Sequence, residues 1–346
     1  MLFDNGASCR YWLDRLAELD GADRLLGENA STVVDMARIY ETGLGQLDFG
    51  AEIQLAGESG IDLSVQYELG DFVRSNPLSH PLVIPAGDFL LDYNRQLAEK
   101  GFAHLIADRY AYLEADTSKG EAGAVAIFLN LSGTAAREML PFILQEQQQG
   151  ERLTAVQDIL QRVNAELAPW YFGFMHSREE LPLRLSFYVR EEAGLPGMLS
   201  ALRRLGIEPG EGAEQLAAVD ELGLFTYMLD VDVMADGSLG DTWGVELTPQ
   251  AALPVQQQRM LGGDSFARFI ELLVRWDMAD DRSAVLPQCF WNCDYRDSSS
   301  GRAYVMYSYL SHLKLRWQTG KLYPAKVYIQ LRNIPKQMTI NESLYG

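Results

Sequence analysis

The sequence feature that most constrains the fold is a repeated unit in which a helical pattern precedes two alternating strands joined by a turn. The first strand pair flanks Gly57-Glu58-Ser59-Gly60, a turn with two glycines and no β-branched residue, as a hairpin needs. The four clear copies have predicted strand pairs at 51–56 with 61–69, 170–176 with 183–190, 224–233 with 241–247, and 312–317 with 325–331.

Predicted helices lie between these strand pairs. The clearest are over 151–167 and 266–276, and a shorter one follows Pro196-Gly197. The stretch 89–148 is interpreted as a degraded fifth unit, with a helix at 89–100, a strand at 124–131 and a poorly marked partner strand around 105–114.

Hairpins separated by helices predict an antiparallel sheet. Two closures remain open: a flat sheet with helices on one face, or a barrel with helices outside. In each predicted strand one face is apolar and the other polar. The polar faces carry Arg184, Ser186, Tyr188 and Arg190; Lys326, Tyr328, Gln330 and Arg332; His312, Lys314 and Arg316; and Asp62, Ser64, Gln66 and Glu68.

We favour the barrel, because a polar sheet face that also carries aromatic side chains suits a binding chamber. A barrel of about ten strands leaves a lumen wide enough for a ligand. The predicted fold is therefore α+β, with repeated αββα units closing an antiparallel barrel of about ten strands, and residues 1–346 are expected to form a single domain.

The charge of the chain excludes some partners. It has 29 Lys and Arg against 48 Asp and Glu, for a net charge of -19. A protein that coats nucleic acid needs a dense basic surface, and anionic lipid would repel this one, so neither nucleic acid nor a membrane is an expected partner. Three cysteines and a start without an export signal lead us to expect a cytoplasmic protein.

Two segments carry a resemblance to a known family. They are PLRLSFYVREEAGLPGMLSALRRLGIEP at 182–209 and LGLFTYMLDVDVMADGSLGDTWGVEL at 222–247. With the repeated αββα unit, they resemble the aromatic prenyltransferases of the ABBA family, whose barrel is also called the PT barrel. Within that family they are most similar to the cyanobactin prenyltransferases, which modify ribosomally made peptides (RiPP biosynthesis).

The resemblance implies residues that bind a prenyl diphosphate. The family holds this co-substrate with Lys and Arg from several strands, often as Lys-x-Tyr, and Lys326-Val327-Tyr328 matches that pattern. The corresponding diphosphate-binding residues would be Arg184, Lys314, Arg316 and Lys326. The sequence departs from the family pattern in two places: residues 184–188 read Arg-x-Ser-x-Tyr instead of Arg-x-Lys-x-Tyr, and the first hairpin has no basic residue. These departures leave fewer cations than a metal-independent member of the family would have, so Mg²⁺ is an expected cofactor that shares the diphosphate charge.

The other expected site residues follow from the chemistry of an allyl cation. Cationic side chains would stabilise the leaving diphosphate and form a positive island in an acidic molecule. Aromatic faces would shield the allyl cation, and the candidates are Tyr188, Tyr328 and Trp243. A carboxylate must take the released proton, and Glu52 is preferred because the family places its acidic residue on an early strand.

The sequence thus predicts a transferase that moves a dimethylallyl or longer group from its diphosphate to a peptide or small aromatic acceptor. One alternative is another RiPP-tailoring enzyme on the same scaffold. A second alternative is a non-catalytic peptide-binding protein whose polar sheet face recognises a partner.

Overall fold

The computed structural model describes residues 48–58, 60–68, 110–115, 125–130, 134–146, 149–176, 180–251, 254–290, 294–297, 303–318 and 321–335, with Arg178 and isolated positions before 100. The strands are β1 (Asp48–Gln54), β2 (Ile61–Glu68), β3 (Tyr110–Ala115), β4 (Ala126–Asn130), β5 (Leu167–Phe174), β6 (Leu183–Val189), β7 (Phe225–Val233), β8 (Leu239–Pro249), β9 (Asp294–Asp297), β10 (Ala303–Gln318), β11 (Lys321–Leu322) and β12 (Lys326–Pro335).

The helices of the described residues are α1 (Thr134–Glu146), α2 (Leu153–Val163), α3 (Gly194–Arg204), α4 (Glu211–Asp220), α5 (Pro254–Leu261) and α6 (Asp264–Arg275). Two 3₁₀ segments lie at Gly150–Arg152 and Asp281–Gln288.

Ten of the described strands close into an antiparallel barrel. Their order around the barrel is β10, β12, β1, β2, β3, β4, β5, β6, β7 and β8, and β8 then pairs with β10. The short strands β9 and β11 pair only with the two ends of β10 among the described strands. The flat-sheet alternative is therefore wrong, and the predicted αββα barrel is confirmed.

The apolar faces of the barrel strands point outward, and helices cover those of β5, β6, β7 and β10. In β6 the side chains of Leu183, Leu185 and Phe187 are buried in the same core as Met198 and Leu202 of α3. The helix α3 contacts β6 and β7, α2 contacts β5, and α5 contacts β10. Burying a side chain of this size stabilises the fold by about 1.5–3 kcal/mol, so the alternation of apolar residues decides which face points outward.

The turn between β7 and β8 contains the pair Asp236-Gly237, and Asp-Gly pairs are common in hairpin turns. Gly237 has a φ of 82°, which suits glycine, and Asp236 Oδ1 accepts a hydrogen bond of 2.9 Å from the backbone N–H of Ser238. This hairpin carries two acidic side chains of β7 into the lumen, as described below.

The structure corrects several predicted boundaries. The strand predicted at 312–317 is the last part of β10, whose register shifts at a bulge between Leu310 and His312. The helix predicted at 151–167 ends at Val163, and β5 starts at Leu167. The helix α4 has no predicted counterpart. The predicted partner strand around 105–114 corresponds to β3, and the helix predicted at 89–100 lies almost wholly outside the described residues.

No helix of the described residues is long and apolar enough to cross a membrane. That residues 1–346 form a single domain stays a prediction.

Candidate active site

The inward-facing side chains of the barrel surround a cavity of about 280 Å³. Its lining combines charged and polar side chains with aromatic ones. The lining residues include Ser64, Tyr112, Glu114, Phe128, Trp170, Tyr171, Arg184, Ser186, Tyr188, Met228, Glu246, His312, Lys314, Tyr328 and Gln330. The polar faces predicted from the sequence therefore converge inside the barrel.

Glycines make room inside the barrel at two informative positions. A Cβ on Gly173 would lie 2.5 Å from Cε1 of Phe128, so the Phe128 ring occupies the space that a side chain would need. A Cβ on Gly244 would lie 3.5 Å from Cε of Lys314. The aliphatic part of Lys314 passes beside this glycine toward Asp230.

Lys314 on β10 lies between two carboxylates. Its ammonium group forms an ion pair with Asp230 of β7, and its Nζ is 3.2 Å from Oε1 of Glu246, its direct partner on β8. Ser186 donates a 2.6 Å hydrogen bond to Oδ1 of Asp230. Because Lys314 is only 7% exposed, this pairing satisfies a charge that would otherwise be costly to bury.

Arg184 makes a bidentate ion pair with Asp232 across the β6–β7 register. Its Nε and Nη2 lie 2.9 and 3.1 Å from the two carboxylate oxygens. Arg178 and Arg316 also approach Asp232, at 3.2 and 3.9 Å. Three guanidinium groups therefore surround one carboxylate, and together with burial, which opposes them, they leave the pKa of Asp232 at about 2.

Glu52 on β1 is held by the next strand of the barrel. Its Oε1 pairs with Lys326 Nζ and its Oε2 accepts a hydrogen bond from Tyr328 Oη, both on β12. Burial alone would raise the pKa of Glu52, but the charge of Lys326 and these hydrogen bonds lower it to about 2. The carboxylate is therefore ionised at neutral pH and is a weak base.

The four predicted diphosphate-binding residues all lie inside the barrel, but they do not form an unpaired positive island. Each lies within 4 Å of a carboxylate: Arg184 and Arg316 of Asp232, Lys314 of Asp230, and Lys326 of Glu52. The correction follows from burial, because a buried cation without a counterion would destabilise the empty protein. An incoming anion has to compete with these carboxylates.

Two lumen carboxylates have raised pKa values. Burial and then the Asp230 carboxylate raise the pKa of Glu246 to about 7, against the charge of Lys314. Burial and then the Glu52 carboxylate raise the pKa of Glu114 to about 7. Both groups therefore titrate near neutral pH, and their protonation makes the chamber more positive.

Aromatic rings line the cavity beside these charges. Tyr328 stacks on His312, with ring centroids 4.0 Å apart, and Tyr112 packs edge-on against Tyr171 at 5.5 Å. Tyr188 lines the cavity and is 38% exposed. The predicted shield residues Tyr188 and Tyr328 are thus placed beside the cavity.

The placement of Trp243 in the chamber is wrong. Its ring stacks on Trp317 at 4.4 Å and packs beneath Gly212 of α4, in the core between barrel and helices. The physical reason is strand parity: Gly244 and Glu246 of β8 point inward, so Trp243 points outward. The alternation of apolar and polar residues along β8 already indicated in the sequence that Trp243 lies on the apolar face.

Several lining residues were missed by the sequence reasoning. They are Tyr112, Glu114, Phe128, Trp170 and Tyr171. Arg178, which pairs with Asp232, was missed as well. The alternation in β3, where Tyr112 and Glu114 share one face, and the position of Phe128 in β4 could have indicated these three. Both strands are short, however, and β3 was only poorly marked in the sequence.

A metal site was also tested against the geometry. Within the part of the chain that the structure describes, no three His, Cys, Asp or Glu side chains are arranged to hold a metal ion. Asp230, Asp232 and Glu246 are instead paired with Lys and Arg. The residues that the structure describes therefore do not fit a preformed Mg²⁺ site.

Comparison with known proteins gives a likeness of fold. No family model and no curated protein matches the sequence. The crystal structure of PriB in a binary complex with product diphosphate matches with a TM-score of 0.54 and 15% identity, over 96% of each chain. The ternary complex of the prenyltransferase PriB with L-tryptophan and dimethylallyl thiolodiphosphate gives a TM-score of 0.49 at 15% identity, again over 96% of each chain.

A 5-dimethylallyltryptophan synthase from Streptomyces coelicolor gives a TM-score of 0.47 at 12% identity, over 94% of this chain and 95% of the other. The PriB binary complex covers nearly the whole of both chains, and its TM-score exceeds that of the other two. The chain therefore has the ABBA fold, a helix-covered antiparallel barrel like that of PriB, as its sequence resemblance predicts.

Proposed function

We propose that this protein is a prenyltransferase that moves an allyl group from its diphosphate to an electron-rich acceptor inside the barrel. One observation carries the proposal: the same cavity of about 280 Å³ is lined by Arg184 and Lys314 and by a group of aromatic rings. The fold shared with PriB, solved with product diphosphate, supports the same assignment.

The first chemical step is ionisation of the donor. The bond between the allyl carbon and the diphosphate oxygen breaks, and both electrons leave with the diphosphate. Arg184 and Lys314 would neutralise the growing charge, with Arg316 and Lys326 as further contacts, in a site where water no longer screens it. Arginine suits a bidentate contact with phosphate oxygens, and lysine supplies a compact charge.

The second step is capture of the allyl cation. The rings of Tyr188 and Tyr328 would face the cation and keep water from it. A carbon, nitrogen or oxygen of the acceptor then forms the new bond and loses a proton. The cavity is near the lower end of the range of about 300–1,000 Å³ for ligand sites, which favours a dimethylallyl donor over a longer one.

The acceptor is proposed to be a peptide or small aromatic molecule, and the likeness of 182–209 and 222–247 to cyanobactin enzymes favours a ribosomally made peptide. L-tryptophan is the ligand of the PriB ternary complex and is therefore a suitable first probe. We also propose that the protein acts in the cytoplasm.

A specific observation favours a second candidate. Because every predicted diphosphate ligand already has a carboxylate partner, the lumen also suits a non-catalytic protein that binds a peptide. A peptide-tailoring enzyme without a diphosphate substrate is compatible with the same pairing.

The test is calorimetric titration with dimethylallyl and geranyl diphosphate, with and without Mg²⁺, followed by mass spectrometry of acceptor mixtures. We expect binding of dimethylallyl diphosphate and an added isoprene unit on the acceptor. Arg184→Met should abolish donor binding, whereas Arg203→Met, at an exposed arginine of α3, should leave it unchanged. Absence of binding at millimolar donor in all conditions would favour the second candidate.

A further inference from the structure

The carboxylate of Glu114 differs from every other lumen carboxylate described above. It lines the cavity, yet no hydrogen bond or ion pair to it is formed by any described residue. Glu52, by contrast, has one oxygen bound to Lys326 and the other to Tyr328. Among the described residues, neither oxygen of Glu114 therefore has a hydrogen-bond or ion-pair partner.

The strand neighbours of Glu114 explain why no described residue pairs with it. Its direct neighbours in the register are Ser64 on β2 and Ala126 on β4, so neither adjacent strand supplies a cation opposite it. The charged groups that act on it come from across the lumen: Glu52 of β1, Lys326 of β12, Lys314 of β10 and Arg184 of β6. None of these cations contacts it within 4 Å among the described residues.

A buried carboxylate without a partner is destabilising when ionised. Burial and the nearby Glu52 carboxylate raise the pKa of Glu114 to about 7, and the three cations counteract this only in part. A group that titrates near neutral pH is a far better proton acceptor than Glu52, whose pKa is about 2.

We propose that Glu114 is the catalytic base that takes the proton released by the acceptor when the new bond to the allyl carbon forms. This proposal rests on the proposed function. The acceptor atom supplies the electron pair for the new bond, the electrons of the broken carbon–oxygen bond leave with the diphosphate, and the acceptor's proton moves to a Glu114 oxygen. Glu52 becomes a positioning residue that holds Lys326 and Tyr328.

The role of Glu114 bears on the acceptor as well. An aromatic carbon that has just been alkylated loses its proton to almost any base, including water. A nitrogen or oxygen acceptor is a better nucleophile when its proton is removed while the new bond forms, so a base that titrates near neutral pH helps it most. The geometry thus points to an acceptor that reacts through an N–H or O–H group.

The experiment compares Glu114→Gln, Glu114→Asp and Glu52→Gln with the wild type. The donor is saturating dimethylallyl diphosphate, and the probes are L-tryptophan and a short peptide that contains tryptophan and tyrosine. We expect wild-type kcat to rise with pH through an apparent pKa of about 7. Glu114→Gln should lower kcat by about 100-fold or more and remove this pH dependence, while the donor KM changes little.

Two variants guard against a merely structural effect. Glu114→Asp keeps a carboxylate and should retain the pH-dependent limb at a reduced kcat. Glu138→Gln, the same substitution at an exposed position of α1, should match the wild type throughout. Circular dichroism and thermal unfolding establish that each variant is folded.

The outcomes separate the two proposals. A wild type active on a probe, with Glu114→Gln equally active or with an unchanged pH profile, would overturn the role of Glu114 and leave the proposed function standing. A wild type that transfers to neither probe and does not bind the donor would overturn both. Loss of the pH-dependent limb in Glu52→Gln but not in Glu114→Gln would return the role of base to Glu52.

Discussion

Glu52 on β1 forms an ion pair with Lys326 on β12, diagonally across the strand pair that closes one side of the barrel. In the register Glu52 faces Tyr328 directly, and Lys326 faces Gln54. The pair therefore connects the first and last strands of the barrel through side chains as well as through backbone hydrogen bonds.

Removing Lys326 should destabilise the barrel at neutral pH. Lys326→Met leaves the buried Glu52 carboxylate with Tyr328 as its remaining described partner. The free energy of unfolding should fall by about 1–3 kcal/mol. The lower end is expected, because the Lys326 side chain is 37% exposed and water screens its charge. Urea unfolding at pH 7 measures the effect. The double variant Lys326→Met with Glu52→Gln should recover most of the loss.

The same pair sets an acid dependence of stability. The pKa of Glu52 is about 2 in the folded protein and 4.5 as its ordinary value, so its contribution is present above pH 4.5 and decreases as the pH falls toward 2. The stability difference between wild type and Lys326→Met should shrink over this range. A difference that is constant from pH 6 down to pH 3 would contradict the assignment.

Donor binding should strengthen as Glu246 becomes protonated. Its pKa is raised to about 7, so below this pH Lys314 loses one of its two counterions and is freer to bind the diphosphate. Glu246→Gln should therefore tighten donor binding about tenfold at pH 8, a change of ~1.4 kcal/mol. Calorimetry between pH 6.5 and about 8.5 measures it.

The diphosphate also titrates in this pH range, and this effect is the same for the wild type and for Glu246→Gln. A comparison of the two proteins therefore isolates the contribution of Glu246 to the pH dependence of donor binding. Glu246→Gln should show a weaker pH dependence of the dissociation constant. Equal slopes in the two proteins would assign the pH dependence to the ligand.

Phe128 should limit the length of the prenyl chain. Its ring lies against Gly173 and lines the cavity, so Phe128→Ala enlarges the space available to a donor. We expect the ratio of geranyl to dimethylallyl use, as kcat/KM, to rise about tenfold or more. Gly173→Ala is the opposite change, because its Cβ would push the Phe128 ring from its place, and the ratio should not rise.

Trp243 should affect stability and not donor binding. Trp243→Phe replaces an indole ring that stacks on Trp317 and packs against Gly212 with a smaller ring. It should lower the free energy of unfolding by about 1–3 kcal/mol, as measured by urea unfolding. The donor dissociation constant should remain within about twofold of wild type, since the Trp243 ring lies outside the chamber.

Tyr328→Phe, inside the chamber, should weaken donor binding or transfer while leaving the ring stack on His312.

Strand alternation explains why much of the site was predictable. In LRLSFYV the alternate positions Arg184 and Ser186 face the lumen, and Leu183, Leu185 and Phe187 face the helices. A β-strand turns successive side chains to opposite faces, so a hydrophobic pattern of period two assigns the two faces without knowledge of the fold. The error at Trp243 arose where its aromatic character was given more weight than this parity.

Ion pairing across the barrel was not predictable in the same way. Lys314 and Asp230 lie on β10 and β7, which are not neighbours in the sheet, and Lys314 reaches over Gly244 of the strand between them. The distance between such side chains depends on how far the strands are shifted along one another when the barrel closes. No local pattern encodes that shift.

The sequence by itself determined the repeated αββα units, the apolar and polar faces of their strands, and the basic and aromatic residues available for the chamber. Only the tertiary structure decided that each of the four predicted diphosphate-binding cations meets a carboxylate. It also decided that no cation of the described residues contacts Glu114. The physical reason is that propensity and hydrophobic alternation act over neighbouring residues, whereas charges interact through space across a lumen whose walls come from distant parts of the chain.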